Sequence, residues 1–244
     1  MKVFGLEHIL YLLISIILLT ITTIILKKKI KDDKKIEIMF RIIGIIGLIV
    51  IILNRIAISI RDNNFFLLIP DSYCGMTSLL TSISLLFFKK DNILLHGLWL
   101  IAIIGDLVSI IDPGFISKDH SIFYFPVITS FIHHTITLYA IILVFIFKYI
   151  NLTIKKAYIQ LIVLIFYLSI GLIEIYGFKL KDAYYINEPI LKNTFLTTWG
   201  MLPIYTLIYL LIMFICEYLK RNNKKIESEW FNFFILLFFF ETYF

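Results

Sequence analysis

Seven long apolar segments constrain this chain more than any other feature of its sequence. Of the 244 residues, 60% are hydrophobic, which favours a membrane protein over a soluble domain. Each segment is near the ~20 residues that an α-helix needs to cross about 30 Å of hydrocarbon. We therefore predict an all-α polytopic membrane bundle with seven transmembrane helices. The predicted spans are Leu6–Leu26, Ile38–Ile60, Phe65–Phe88, Ile93–Ile111, Ile122–Phe147, Ala157–Gly177 and Phe195–Leu219.

The two ends of the chain raise separate questions. The first apolar segment is too long for a signal peptide and has no small-residue cleavage site before Lys27, so we expect a retained helix. Residues 1–222 then form one transmembrane domain, and residues 223–244 form an aromatic cytoplasmic or interfacial tail. The eleven residues of Trp230–Phe240 are too few to span. They favour an interfacial anchor over a re-entrant segment.

The distribution of basic residues predicts the orientation of the bundle. The chain has 23 Lys and Arg residues and a formal net charge of +6. Fifteen of them lie on one side of the predicted membrane and six on the other. The positive-inside rule therefore puts the amino terminus outside and the carboxyl terminus in the cytoplasm. Short lysine-rich loops account for the charge, and no nucleic-acid-binding motif is evident, so we expect no nucleic-acid partner.

The third apolar segment is interrupted by polar residues. Pro70, Asp71 and Cys74 fall within five residues of one another. At helical spacing, Asp71, Cys74, Ser78 and Thr81 share one face. Because lipid cannot satisfy a polar stripe, this face is expected to point at other protein or at a water-filled cavity.

A second polar centre, the pair His133 and His134, lies in the middle of the fifth segment. At ~1.5 Å per residue, Cys74 is about 13 Å and His134 about 18 Å below the outer ends of their helices, so they can meet. A thiol attacks an acyl carbonyl as thiolate, and an imidazole can take that proton and return it to the leaving oxygen. We predict Cys74 and His134, or His133, as catalytic residues.

Other charged residues gather in the outer half of the predicted bundle. Arg55, Asp106 and Glu174 lie four to six residues from the outer ends of their helices. One interpretation is that they snorkel or pair with one another. The other is that they bind substrate together with Asp71, and Arg55 can neutralise a phosphate or a developing oxyanion.

The two cysteines predict no disulfide. Cys74 and Cys216 fall at opposite ends of the predicted membrane. Cys216 is interpreted as a small packing residue, and His96 as a marker of the inner interface. Cys74 differs because it shares its stripe with polar neighbours.

Several short motifs follow one another in a fixed order along nearly the whole chain. They are Phe4 with His8, Pro70 with Cys74, Pro113, His133–His134, Tyr184 to Pro189, and Trp199 with Pro203 and Tyr205. This order resembles the YwaF-like bacterial integral membrane proteins, whose vertebrate relative is a cysteine-dependent intramembrane acyltransferase of phospholipid remodelling. The resemblance implies that Cys74 accepts the acyl group and that a His of the fifth helix assists it. Ile69, Ser72 and Ala183 depart from the family pattern.

Two functions are consistent with these residues. The first is an intramembrane acyltransferase or lipid hydrolase in the bacterial cytoplasmic membrane, with a phospholipid or lysophospholipid as its partner. The second is a non-enzymatic small-solute or proton-coupled transporter, although no internal repeat is evident. We expect no nucleotide, because no Gly-rich phosphate loop occurs, and no metal, because adjacent His residues point about 100° apart on a helix. The oligomeric state stays open.

Overall fold

The computed structural model describes residues 4–112, 116 and 120–222, and its regular secondary structure in that part is entirely helical. The all-α prediction is therefore confirmed for the described residues. Pro113 and the segment Trp230–Phe240 lie outside them. The seven α-helices are α1 (Leu6–Lys29), α2 (Asp33–Arg61), α3 (Tyr73–Phe87), α4 (Ile93–Ile111), α5 (Phe125–Ile146), α6 (Tyr158–Leu172) and α7 (Thr198–Asn222).

Six of these helices are long and apolar enough to cross a membrane, once α6 is extended by the short helical turns that flank it. The exception is α3, whose 15 residues reach only about 22 Å. The structure therefore supports six full-length spans and one shorter apolar helix, rather than the seven full spans predicted. The predicted sidedness stays a prediction.

The predicted third span, Phe65–Phe88, is broken before its polar stretch. A 3₁₀ turn occupies Phe65–Leu68, the chain is extended at Ile69, and α3 begins only at Tyr73. Pro70 explains the break, because proline pushes the preceding residue into an extended conformation and has no N–H to donate. Asp71 consequently lies outside the helix, and its predicted place on the face of Cys74 is wrong.

Close helix packing fixes the centre of the bundle, where α4 and α5 are the most deeply buried spans. A Cβ at Gly44 on α2 would lie 2.8 Å from backbone atoms of Ser82 and Leu86 on α3, so glycine permits this approach. α1 is peripheral, and His8 is its one buried residue in the described part of the chain. The Nε2 atom of His8 lies 2.8 Å from the carbonyl oxygen of Ile110 on α4.

The loop between α6 and α7 folds back over the break before α3. The Tyr184 amide donates to the Asp71 carbonyl at 2.8 Å, and the Tyr184 hydroxyl donates to the Pro70 carbonyl at 2.5 Å. Thr198, at the start of α7, donates its hydroxyl to the Tyr184 carbonyl. Tyr184 and Tyr185 have positive φ angles, which bulky residues rarely adopt. These hydrogen bonds hold the strained turn against the start of α3.

At the opposite end, an ion-paired cluster ties the loop before α4 to the loop before α6. The Asp91 carboxylate accepts hydrogen bonds from the Lys156 ammonium at 2.5 Å and from the backbone N–H of Asn151 at 2.9 Å. It also pairs with His96 Nε2 at 2.8 Å. Burial opposes ionisation of Asp91, but these partners outweigh it and lower the pKa of Asp91 to about 2. This anchor holds the α3–α4 corner in place.

Candidate functional site

A cavity of about 530 Å³ lies among α2, α3, α4, α5, α7 and the loop between α6 and α7. Cys74, His133 and His134 all contribute to its wall. Its lining combines charged residues with aliphatic and aromatic residues. The charged residues are Arg55, Arg61, Asp62 and Asp71. The aliphatic part includes Ile101, Ile104, Val108, Leu202, Ile204 and Ile208.

The start of α3 positions the Cys74 thiol. Ser72 caps the helix, because its hydroxyl accepts a hydrogen bond from the Gly75 amide at 3.3 Å. Cys74 is the second residue of the helix, half-buried and not in a disulfide. The helix dipole at this end favours a negative charge, whereas burial beside the Asp106 carboxylate opposes one, so the thiol needs a base to become a thiolate.

Two residues of α4, Gly105 and Ser109, lie next to the sulfur atom of Cys74. The Ser109 hydroxyl lies 3.6 Å from Cys74 Sγ, within hydrogen-bonding range of a sulfur. A Cβ at Gly105 would lie 2.9 Å from the same atom, closer than real Cβ atoms come. The glycine thus leaves the space that the thiol occupies beside the cavity.

His134 pairs with Asp106 next to the thiol. The His134 Nδ1 atom and an Asp106 carboxylate oxygen are 2.7 Å apart, and both residues are buried. One ligand atom from each of Cys74, Asp106 and His134 lies within 4.8 Å of the other two. An ionised carboxylate only accepts, so the proton of the neutral imidazole sits on Nδ1 and Nε2 is left with a free lone pair. The cluster is compatible with a thiol, a base and a carboxylate that orients the base.

The same three groups form a candidate metal site by donor chemistry. Thiolate, imidazole and carboxylate are the ligands that Zn²⁺ prefers, and catalytic zinc sites use three such ligands. The hydrogen bond between His134 and Asp106 occupies Nδ1 of His134. This contact is the one that a hydrogen-bonded triad requires. The expectation of no metal stays a prediction.

His133 has a different environment from His134, although the two ring centroids are only 4.1 Å apart. Its Nδ1 atom lies 3.0 Å from the Ser78 hydroxyl oxygen on α3, and Thr137 donates to that same oxygen at 2.9 Å. Ser78 therefore belongs to the polar stripe as predicted, one turn below Cys74. The two histidines point to different helices, as their spacing requires.

Arg55 and Asp71, which both line the cavity, form an ion pair of 2.9 Å. The Arg55 guanidinium also donates to the carbonyls of Leu67 at 2.8 Å and Ile69 at 3.2 Å. It therefore satisfies backbone groups that the break before α3 leaves without helical partners. This engagement explains how an arginine with a 7% exposed side chain is held in an apolar setting.

The predicted mutual pairing of Arg55, Asp106 and Glu174 is not what the structure shows. Arg55 pairs with Asp71, and Asp106 pairs with His134. Glu174 is buried in a π-helical turn, Ile173–Gly177, and in the described part of the chain neither carboxylate oxygen has a hydrogen-bond partner. Asp106 and Glu174 do not contribute to the cavity wall, so their predicted contact with substrate stays a prediction.

Sequence reasoning missed three contributors to this site. Gly105 and Ser109 were not singled out, although they stand at i and i+4 on α4 and flank Asp106 in sequence. Thr137 was missed as the partner of Ser78, and it stands one helical turn after His133. A search for hydroxyl residues one turn from each ionisable residue would have found Ser109 and Thr137, and Gly105 is the immediate neighbour of Asp106.

Comparison with known proteins places this architecture in a family. The sequence model of the TMEM164 family matches residues 3–242. The chain belongs to the TMEM164 family. This family agrees with the vertebrate relative implied by the motif order, whereas the match does not extend to the YwaF-like bacterial assignment. No curated protein and no solved structure matches the chain significantly. With six apolar helices of spanning length, the family member is a multi-pass membrane protein.

Proposed function

We propose that this TMEM164 family member is an intramembrane lipid acyl-transfer enzyme of the bacterial cytoplasmic membrane. Cys74 is its nucleophile and His134 its acid and base, and phospholipid or lysophospholipid is its substrate. The observation that carries the proposal is the meeting of Cys74, His134 and Asp106 within 4.8 Å beside a cavity. The three residues come from three different helices, so their proximity is a property of the fold.

The proposed reaction passes an acyl group through a thioester. His134 Nε2 takes the thiol proton, the sulfur bonds to the ester carbonyl carbon, and the carbonyl electron pair moves to oxygen. When this pair returns, the bond to the leaving oxygen breaks, and His134 gives its proton to that oxygen. A lysolipid hydroxyl or water then attacks the thioester by the same steps. Asp106 keeps the imidazole oriented and stabilises its positive charge.

The shape and lining of the cavity support a lipid substrate. Its volume of about 530 Å³ is within the range of small-molecule sites. Aliphatic side chains such as Ile104 and Ile208 suit an acyl chain, and charged residues such as Arg61 and Asp62 suit a head group. Cys74 lines the same cavity, where a lipid ester can reach it.

Acyl transfer in proteoliposomes tests the proposal. Purified protein is mixed with a phospholipid carrying a labelled acyl chain and an unlabelled lysophospholipid, and the labelled product is quantified by mass spectrometry. We expect transfer by the wild type, transfer by Cys216→Ala, and none by Cys74→Ala. Cys216 is the matched control because it is the second cysteine and lies in α7. Equal transfer by both cysteine variants would contradict a thiol mechanism.

The transporter alternative predicts the opposite effect of replacing Cys74, because transport does not need the thiol. Solute or proton uptake into proteoliposomes that survives Cys74→Ser, with no acyl transfer by the wild type, would favour it. The described ionisable groups form separate pairs, Arg55 with Asp71 and His134 with Asp106. We therefore favour the enzyme.

A further inference from the structure

His133 and His134 are adjacent and line the same cavity, but their Nδ1 atoms have different hydrogen-bond partners. In His134, Nδ1 meets the Asp106 carboxylate, a group that only accepts hydrogen bonds when ionised. In His133, Nδ1 meets the hydroxyl of Ser78, a group that both donates and accepts. The partners of Ser78 therefore decide which nitrogen of His133 carries its proton.

The hydrogen bond from Thr137 favours the tautomer of His133 in which Ser78 is the donor. Thr137 donates its hydrogen to Ser78 Oγ, so this oxygen already accepts one hydrogen bond. Among the described residues, His133 Nδ1 is the acceptor that remains for the single hydrogen of Ser78. A neutral His133 then has a lone pair on Nδ1 and its proton on Nε2. The two neighbours are thus opposite tautomers, with Nε2 of His134 a base and Nε2 of His133 a donor.

The donor is close to the reacting groups. The rings of His133 and His134 have centroids 4.1 Å apart, and His133 contributes to the wall of the same cavity as Cys74. No described residue makes a hydrogen bond to its Nε2 atom, and this atom is not sealed in the interior. A carbonyl oxygen in the cavity is a suitable acceptor for it.

We propose that His133 donates its Nε2–H to the oxyanion that forms when Cys74 attacks an ester carbonyl. This inference rests on the proposed acyl-transfer function and assigns to His133 a catalytic role separate from acid–base chemistry. The Nε2–H group stabilises the negative charge that develops on oxygen while the S–C bond forms, and it does not transfer its proton. Ser78 and Thr137 are positioning residues, because they act only through the tautomer of His133.

Arg55 was the earlier candidate for this task, and its contacts explain why His133 suits it better. The guanidinium is engaged by the carbonyls of Leu67 and Ile69 and by the carboxylate of Asp71. A neutral imidazole N–H that is already oriented needs no rearrangement when charge develops, which is the basis of oxyanion stabilisation.

Two electrophilic lipid probes separate this role from a structural one. An activated acyl lipid acylates Cys74 through an oxyanion, whereas a haloacetamide lipid alkylates it by displacement at a saturated carbon, where no oxyanion forms. We expect His133→Ala to slow acylation about 100-fold, the usual cost of one oxyanion donor, while alkylation falls less than about threefold. His134→Ala is expected to slow both reactions, because both need the thiolate.

Rescue by a second donor sharpens the test. His133→Gln keeps an N–H donor, so its acylation rate is expected to exceed that of His133→Ala by about tenfold. Equal loss of acylation and alkylation in His133→Ala, or acylation within about twofold of the wild type, would overturn the assignment. If neither probe labels the wild type at Cys74, the proposed function itself fails, which is a distinguishable result.

The tautomer can be observed directly. Protein labelled with ¹⁵N in its five histidines, reconstituted in bilayers, distinguishes Nε2–H from Nδ1–H by nitrogen chemical shift. We expect His133 to give a neutral Nε2–H signal in addition to that of His8, whose Nε2 meets the Ile110 carbonyl. The His133 signal is assigned by its loss in His133→Gln, and we expect it to change in Ser78→Ala. A His133 that carries its proton on Nδ1 in the wild type would contradict the proposal.

Discussion

The described part of the molecule contains two aspartate–histidine pairs of nearly equal length, one inside the bundle and one at an end of it. Asp106 and His134 are 2.7 Å apart next to the Cys74 thiol in the interior, and Asp91 and His96 are 2.8 Å apart at the start of α4. The second pair is surrounded by partners, since Lys156 and a backbone amide also bind Asp91. It is a structural anchor.

The first pair is incompletely satisfied. In the described part of the chain, Asp106 Oδ2 is buried and has no hydrogen-bond partner, and no lysine or arginine forms an ion pair with this carboxylate. Its histidine instead faces a thiol and a cavity. The comparison teaches that an Asp–His distance alone does not mark a site. The neighbours that compensate the charge, or leave it available, make the difference.

Neutralising each aspartate in turn gives the largest contrast. We expect Asp106→Asn to slow acyl transfer by about 10³-fold, because an amide can hold His134 in the wrong tautomer. The matched variant, Asp91→Asn, is expected to keep the rate within about twofold, since that pair is remote from the thiol. Initial rates of labelled acyl transfer in proteoliposomes measure both. Similar rates for the two variants would remove the distinction.

Filling the space beside the sulfur tests whether the thiol must stand where α4 places it. Gly105→Ala puts a Cβ about 2.9 Å from Cys74 Sγ and forces the thiol to rotate. We expect acylation of Cys74 to slow by about 10- to 100-fold, because small misplacements of a reacting group are costly. The thermal midpoint is expected not to fall, since alanine is a better helix former than glycine.

Gly177→Ala is the control for this substitution. A Cβ there would be 3.7 Å from Ile173, which is an ordinary contact. Acylation by Gly177→Ala is expected to match that of the wild type. A Gly105→Ala variant that acylates equally fast would show that the thiol position is not critical.

Substitution of Asp91 is expected to change the stability of the protein rather than its activity. Because Asp91 is 41% exposed, solvent screening limits the loss in Asp91→Asn to about 1 kcal/mol. The corresponding fall in thermal midpoint is about 2–4 °C for a chain of this size. Thermal unfolding of purified protein at neutral pH measures it, and an unchanged midpoint would contradict an anchoring role.

The pH dependence of this loss has a definite sign. The folded pKa of Asp91, about 2, is below its ordinary value of 3.8. Its ionised form therefore stabilises the fold above pH 3.8, and this contribution disappears as the pH falls through about 2. The midpoints of the wild type and Asp91→Asn are expected to converge at that acidic limit. A difference that persists there would exclude ionisation of Asp91 as its cause.

The helices and the approach of Cys74 to His134 were predictable from the sequence. Apolar segments of spanning length mark most of the helices, and depth along each helix indicated which polar residues could meet. The length of α3 was not predicted, because the prediction gave the apolar composition around Pro70 more weight than the effect of this proline on the backbone. Proline geometry overrides hydropathy at such a position.

The partners of the charged residues were less predictable. Arg55, Asp106 and Glu174 lie at similar depths, so the sequence left pairing among them open as one of two interpretations. Which side chains meet depends on the rotation of each helix about its axis, and packing sets this rotation through close contacts such as Gly44 against α3. The same limit hid Ser109 and Thr137.

Acylation of Cys74 by a lipid ester can be observed directly by intact-protein mass spectrometry. Purified protein is incubated with a phospholipid of one defined acyl chain, quenched in acid, and weighed before and after treatment with neutral hydroxylamine. The predicted result is a mass increase of one acyl group that hydroxylamine removes, present in the wild type and Cys216→Ala and missing in Cys74→Ala. An acyl adduct that persists in Cys74→Ala, or lipid turnover by the wild type without any thioester, would contradict a thiol-based transfer.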